Sequence, residues 1–245
     1  MLCVVLLNEV PADHSDLAAQ LTADWLARAA AALQTQLQRD VAPMWPYAKD
    51  AVVRVGAGPS DLGATETPCR VMTTLDVPDA IAYHDDANGY PDEFLGLDTC
   101  NGLPDVTSAI SHENDEVSGD PNCDQWVTIP SGLVLPQGLV AGMQIAFEVS
   151  DPLQDRSYEI DGISVSDFVY PAYFDPTLSG PTSYGEAQGG LRLEPFARTS
   201  GGYQIARQGD GSGETQFFGY MPEHKKKRAR HHRSRQFRRG LRLAA

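Results

Sequence analysis

The sequence predicts an α+β fold with a helix-bearing N-terminal half and a β-rich C-terminal half. Short apolar segments typical of strands surround a few helical segments up to about residue 152, and hairpin signals dominate beyond it. The 245 residues, 42% of them hydrophobic, suffice to bury one sizeable core. We therefore predict one domain over residues 1–207, a flexible linker at 208–223 and a basic tail at 224–245.

The N-terminal half opens with an apolar run at residues 2–7, which predicts a buried strand. Asp13 or Ser15 can cap the alanine-rich helix predicted to run to about Asp40, and two prolines follow it. The remaining strand predictions are short and are separated by turn residues. They cover residues 51–55, 69–75, 80–84 and 93–97, with a turn at 85–91.

A helix is predicted at residues 105–118, because Pro104 and Asp105 favour its start and Gly119 its end. A further helix is predicted at residues 139–149. The pattern then changes to β, and Asp161-Gly162 between two apolar segments is typical of a hairpin turn. The strands predicted there cover residues 158–160, 164–169 and 203–206.

The predicted helix at 105–118 carries the most informative motif, Ser-His-Glu-Asn-Asp-Glu at residues 111–116. His112 and Glu116 are four residues apart, so both can face one metal ion, with Glu113 beside them as a base. The spacing is that of the zinc-binding His-Glu-x-x-His helix, with a carboxylate in place of the second histidine, and zinc accepts carboxylate oxygen. A solvated helix face accounts for the same residues equally well.

The order of motifs resembles predicted zincin-type metallopeptidase-like proteins of tailed bacteriophages and bacteria. The resemblance spans roughly residues 2–207 and implies a zincin-like mixed sheet beside the motif helix. The blocks that carry it are Ala-Tyr-His-Asp at 82–85, the motif with Asp120-Pro121, Glu-Val-Ser-Asp-Pro at 148–152, Tyr-Glu-Ile-Asp-Gly at 158–162, the run 165–174 and Gly-Gly-Tyr at 201–203.

The resemblance implies a zinc site. In zinc peptidases whose third ligand is a glutamate, that residue lies on a later helix, and Glu148 matches it. His112, Glu116 and Glu148 would then be the metal ligands, leaving a fourth position for water. Asp151 or Asp120 could accept the other ring proton of His112. A common helix-exit turn accounts for Asp120 as well.

The resemblance also implies a hydrolase in which metal-bound water attacks a carbonyl and Glu113 takes the proton. His84 or Tyr158 could stabilise the oxyanion. Two carboxylate ligands make the metal a weaker Lewis acid than a two-histidine site, so we expect low activity or a structural role. His84 is also explained as a polar residue at a strand end, and Tyr158 as a core aromatic.

Charge is distributed unevenly along the chain. The tail holds ten of the 19 basic residues and no acid after Glu223, so the rest carries nine basic against 33 acidic residues, about −24 in formal charge. A cationic, disordered tail would bind nucleic acid or an acidic protein surface. Its basic residues are Lys225, Lys226, Lys227, Arg228, Arg230, Arg233, Arg235, Arg238, Arg239 and Arg242.

The cysteines and the hydropathy of the sequence indicate the compartment in which the protein acts. The four cysteines form no Cys-x-x-Cys pair and favour a reducing compartment, although Cys100 and Cys123 could pair. No signal peptide or membrane span is predicted. We expect a virion or host-cytoplasm protein within a homo- or hetero-oligomeric assembly, contacting virion proteins.

Three classes of function stay open on the sequence. The first is a zinc-dependent metallopeptidase. The second is a non-catalytic virion structural protein, such as a capsid, connector or tail component, that uses the fold as a scaffold and the tail as an anchor. The third is a nucleic-acid-associated module.

Overall fold

A parallel core of hydrophobic strands organises the first of two units in the structure, a computed structural model that describes residues 1–77, 80–87 and 90–219. Unit 1 comprises residues 1–122 and 157–166, and unit 2 the described remainder. The α+β class predicted from the sequence is confirmed. The boundaries differ from the predicted halves, because the hairpin expected in the β-rich half belongs to unit 1.

Unit 1 contains a five-stranded mixed sheet in the order β2-β1-β3-β5-β4. All neighbours pair in parallel except β4, which pairs antiparallel to β5. The interior strand β1 is apolar from Cys3 to Leu7 and buried over its four middle residues, as expected for a strand covered on both faces. The strands are β1 (Cys3–Asn8), β2 (Val52–Val55), β3 (Thr67–Met72), β4 (Ala82–Ala87) and β5 (Tyr90–Gly96).

The helices of unit 1 are α1 (Asp16–Gln20), α2 (Ala23–Thr35) and α3 (Leu103–Gly119). The single helix predicted to run to Asp40 is therefore wrong. Ser15 caps α1 and Thr22 caps α2, and the segment after α2 is a π-helical turn, Gln36–Val41. Thr22 is a second N-cap within the alanine-rich segment. Because its hydroxyl accepts from the backbone N–H of Trp25, a new helix, α2, begins there.

Strands β8 (Ser157–Ile160) and β9 (Ile163–Ser166) form the predicted hairpin, with Asp161 and Gly162 both at positive φ. This hairpin completes unit 1, since β9 packs against α3. The turn predicted at 85–91 is wrong over its described residues, which belong to β4 and β5, and residues 88 and 89 lie outside the described part.

Unit 2 contains a four-stranded antiparallel sheet in the order β11-β10-β7-β6. Ala146, Tyr203 and Ile205 form its core cluster. Two short helices, α4 and α5, come after β6 and β7 and before β10 in the chain. The elements are β6 (Trp126–Thr128), β7 (Gln144–Ala146), α4 (Pro171–Phe174), α5 (Tyr184–Ala187), β10 (Tyr203–Arg207) and β11 (Thr215–Phe218).

The helix predicted at 139–149 is wrong, because that segment contains strand β7. Gly138 and Gly142 both adopt positive φ, which a helix does not allow, and Ile145 pairs with Ala206 on β10. The segment predicted as a linker also contributes β11 to the sheet. The tail residues lie outside the described part of the chain.

Candidate metal centre

Helix α3 is a polar helix in the interior of unit 1. Pro104 lies in its first turn, as predicted, but the helix begins at Leu103 with Gly102 as its N-cap, and the side chain of Asp105 accepts from the backbone N–H of Asn101 at 2.9 Å. Every residue from 111 to 118 is buried, and Asn114 and Asp115 have no exposed surface at all. A solvated helix face, the alternative open on the sequence, is therefore excluded.

One face of α3 forms a group that could hold a metal ion. His84 on β4, Glu113 and Glu116 each offer a ligand atom, and the three atoms lie within 4.8 Å of one another. The Nδ1 atom of His84 lies 3.0 Å from Oε2 of Glu113 and 3.5 Å from Oε2 of Glu116. Each of the three residues is 4% exposed. We call these residues the α3 metal group.

Glu116 connects this group to His112, the histidine of the motif. Its Oε1 atom lies 3.2 Å from Nε2 of His112, while Oε2 faces His84. The i,i+4 spacing of His112 and Glu116 on α3 produces this contact, as the sequence predicts. Both oxygens of Glu116 are thus engaged by imidazole nitrogens.

The sheet beneath α3 carries a row of polar side chains. Cys69, Glu93 and His84 are register partners on β3, β5 and β4, so they point to the same face of the sheet. With its amide nitrogen turned toward Glu93, Asn114 donates to both oxygens of that carboxylate, at 3.0 and 3.1 Å. The row therefore meets α3 at Asn114 as well as at the α3 metal group.

Burial determines the protonation of this row. Burial, together with the charge of Glu113, raises the pKa of Glu93 to about 8. Burial also raises the pKa of the Cys69 thiol well above its ordinary value, and the neighbouring Glu93 adds to the shift. Glu93 is therefore largely protonated at neutral pH in this environment.

A second polar network lies on another face of α3. The side-chain amide of Gln36, in the π-helical turn, donates to Asp115 at 3.2 Å and to the carbonyl of Ser166 at 2.9 Å. The backbone N–H of Ser166 in turn donates to the hydroxyl of Ser111. These bonds fix α3 against strand β9.

Tyr158, predicted as an oxyanion group, joins this second network. Its hydroxyl donates to Asp40 at 2.8 Å, and burial raises its pKa far above the ordinary value. His84, predicted for the same role, is instead part of the α3 metal group. The structure thus brings His84 and Glu113 together and gives Tyr158 a different partner.

Asp120, Glu148 and Asp151 are the remaining predicted residues. Asp120 is fully buried at the C-terminal end of α3, where its backbone N–H donates to the carbonyl of Glu116 at 2.7 Å. Glu148 and Asp151 belong to unit 2, where both are buried and line a small cavity with Tyr173. Glu148 follows β7 in an irregular segment, and no helix carries it.

Sequence reasoning missed Glu93, Gln36 and Asp40. A signal for Glu93 was available in the sequence. Glu93 lies two residues from Pro91 and two from Leu95, so all three side chains point to the same, buried face of β5. Gln36 and Asp40 had no such signal, since their inward direction depends on the π-helical turn that follows α2.

Comparisons with protein-family models, with curated proteins and with solved structures return no match for this chain. Among the described residues, no helix combines the length and apolar character that crossing a bilayer requires. The chemistry of the site therefore carries the functional conclusions.

Proposed function

We propose that this chain is a zinc-dependent, metallopeptidase-like hydrolase with its metal centre on α3. The α3 metal group carries the proposal, because one imidazole nitrogen and two carboxylate oxygens converge within 4.8 Å inside unit 1. Three protein ligands are the usual number at a catalytic zinc, which keeps its remaining position for water.

The donor set suits a divalent cation. Imidazole nitrogen and carboxylate oxygen are both ordinary zinc ligands. Two glutamates at this depth carry a large desolvation cost unless cations or protons balance their charge. A bound divalent ion would balance both carboxylates at once while leaving His84 neutral.

The residue roles differ from those expected from the sequence. Here His84 and Glu113 are ligands, and His112 orients Glu116 through its Oε1 atom. When bound, zinc supplies Lewis-acid polarisation of a carbonyl and lowers the pKa of bound water to about 7. With Nε2 donating to Glu116, the imidazole of His112 can accept a further proton at Nδ1.

The test begins with zinc analysis of the purified chain and of a His84→Asn variant. We expect zinc in the wild type, its loss from the variant, and chelator-sensitive hydrolysis of an unstructured protein substrate that zinc restores. A wild-type chain that takes up no zinc would contradict the proposal. Tight zinc binding by His84→Asn would remove His84 from the ligand set.

A second candidate is a non-catalytic virion structural protein that uses a zincin-like scaffold. The burial of the α3 metal group favours it, because side chains 4% exposed leave little access for a polypeptide substrate. In this case the protein retains zinc, hydrolyses no substrate and is present in purified virions at fixed stoichiometry. Its absence from virions would exclude this candidate.

The tail at 224–245, outside the described residues, is proposed as an anchor in either case. Its ten basic residues oppose an acidic body, so it would bind nucleic acid or the acidic surface of a neighbouring subunit in a homo- or hetero-oligomeric assembly. DNA binding by chains with and without residues 224–245 is the test. A salt dependence unchanged by truncation would exclude nucleic acid as the partner.

A further inference from the structure

The sheet and the helix that carry the α3 metal group are joined by a buried hydrogen-bonded pair, Glu93 on β5 and Asn114 on α3. Both residues have no exposed surface, and with the side-chain amide of Asn114 oriented so that its nitrogen faces Glu93, that nitrogen lies 3.0 and 3.1 Å from the two carboxyl oxygens of Glu93. This pair is close to the group in the fold, and its members lie outside the ligand set.

On the sheet, Glu93 is the direct register partner of His84 across the β4–β5 pair. Neighbouring partners in an antiparallel pair hold their Cβ atoms about 5 Å apart on one face. Any shift of α3 relative to Glu93 is therefore a shift relative to the imidazole of His84.

On the helix, Asn114 follows Glu113 and precedes Glu116 by two residues. It therefore fixes the rotation of α3 about its axis between the two carboxylate ligands. Leaving a buried amide without its acceptor costs about 1–3 kcal/mol, so other rotations of α3 are disfavoured.

We infer that Glu93 is a positioning residue for the α3 metal group, holding Glu113 and Glu116 at the correct distance from His84 through its hydrogen bonds to Asn114. The inference rests on the proposed metal centre. It assigns a function to a buried carboxylate that neither binds the ion nor takes part in hydrolysis.

Two variants of nearly equal size separate the hydrogen bond from simple packing. Glu93→Gln keeps an oxygen that accepts from Asn114, whereas Glu93→Met removes it. Both remove the ionisable carboxyl group, so a difference between them reports the hydrogen bond. We expect zinc affinity within about 3-fold of wild type for Glu93→Gln, and at least about 10-fold weaker for Glu93→Met.

The matched control is Gln36→Met. It removes an equally buried side-chain amide, which contacts α3 on a different face from Glu93. Gln36 contacts Asp115 and Ser166, and it belongs to the second network. Its variant should lose stability and keep zinc affinity within about 3-fold. A general loosening of unit 1 would instead weaken zinc binding in both Met variants alike.

Zinc affinity is measured by competition with a chelating dye, and the visible spectrum of bound cobalt reports the ligand geometry. If Glu93→Met does not fold, Asn114→Leu removes the same hydrogen bonds and is measured in its place. Wild-type affinity in the Met or Leu variant, or equal loss in Glu93→Gln and Glu93→Met, overturns the positioning role alone. A wild type that binds neither zinc nor cobalt overturns the proposed function and this inference together.

Discussion

Replacing Glu113 by Gln should change the stability of the metal-free and zinc-loaded protein in opposite directions. The ligand oxygens of Glu113 and Glu116 lie within 4.8 Å of each other. At an effective dielectric constant of about 20, two negative charges at that separation repel by about 3 kcal/mol. Above about pH 8, where imidazoles are ordinarily neutral, the metal-free protein carries this repulsion and Glu113→Gln removes it.

The zinc-loaded protein should respond in the other direction. Glu113→Gln replaces a charged ligand with a neutral amide, and changes to residues that only support ligands already cost about 10- to 100-fold in metal affinity. We therefore expect a loss of at least about 100-fold, or about 2.7 kcal/mol. Chemical denaturation at pH 8.5, with chelator and with saturating zinc, measures both effects.

The matched control is Glu66→Gln, which removes a carboxylate of unit 1 that lies outside the α3 metal group and pairs with Arg54 on β2, at the sheet edge opposite β4. If the α3 metal group binds the ion, this variant keeps wild-type zinc affinity. Unchanged zinc affinity in Glu113→Gln would refute the reasoning. Glu113 would then be the free base that the motif predicts from the sequence.

Three further predictions follow from the described contacts. Tyr158→Phe should cost about 1 kcal/mol of stability through the bond to Asp40 and leave zinc affinity unchanged; a large fall in zinc affinity would contradict this. Gly202→Ala should lower the free energy of unfolding by at least about 2 kcal/mol, because the added Cβ would overlap the backbone of Pro152. Gly102→Ala is its control, since the atom nearest to the Cβ added there lies 3.6 Å away. Thermal melts of the two variants measure the difference. Burial raises the pKa of Asp167 above 3.8, so the contribution of Asp167 to the free energy of unfolding falls as pH rises from 3.8 to the raised pKa. Chemical denaturation over a pH series measures this fall. The same pH slope in Asp167→Asn as in the wild type would contradict it.

The parts of unit 1 that the sequence predicts well depend on local signals. The α3 helix follows from Pro104 at its start and from the residues after Gly119, and the β8–β9 hairpin follows from Asp161-Gly162. Each signal acts within a few residues of where it lies in the chain. Such features need no information about the tertiary structure.

The parts that fail depend on contacts between distant segments. Residues 139–149 have the composition of a helix, yet Ile145 pairs with Ala206 from 61 positions away in the chain. The α3 metal group likewise depends on the β4–β5 pairing, which places His84 under α3. The sequence indicates that α3 holds candidate metal ligands, and only the fold identifies the strand that faces them.

The carboxylates around α3 indicate what the interior of unit 1 requires. Glu93, Glu113 and Glu116 lie on adjoining positions of a strand and a helix, and each is buried. Total stabilities of about 5–15 kcal/mol do not tolerate several unbalanced charges at that depth. Protons can balance them, as the raised pKa of Glu93 shows, or a cation can. Because a metal displaces protons from its ligands, zinc binding at α3 should release protons and stabilise the folded unit together. If the α3 metal group binds zinc, the same burial that makes the metal-free interior costly would favour the metal-bound state.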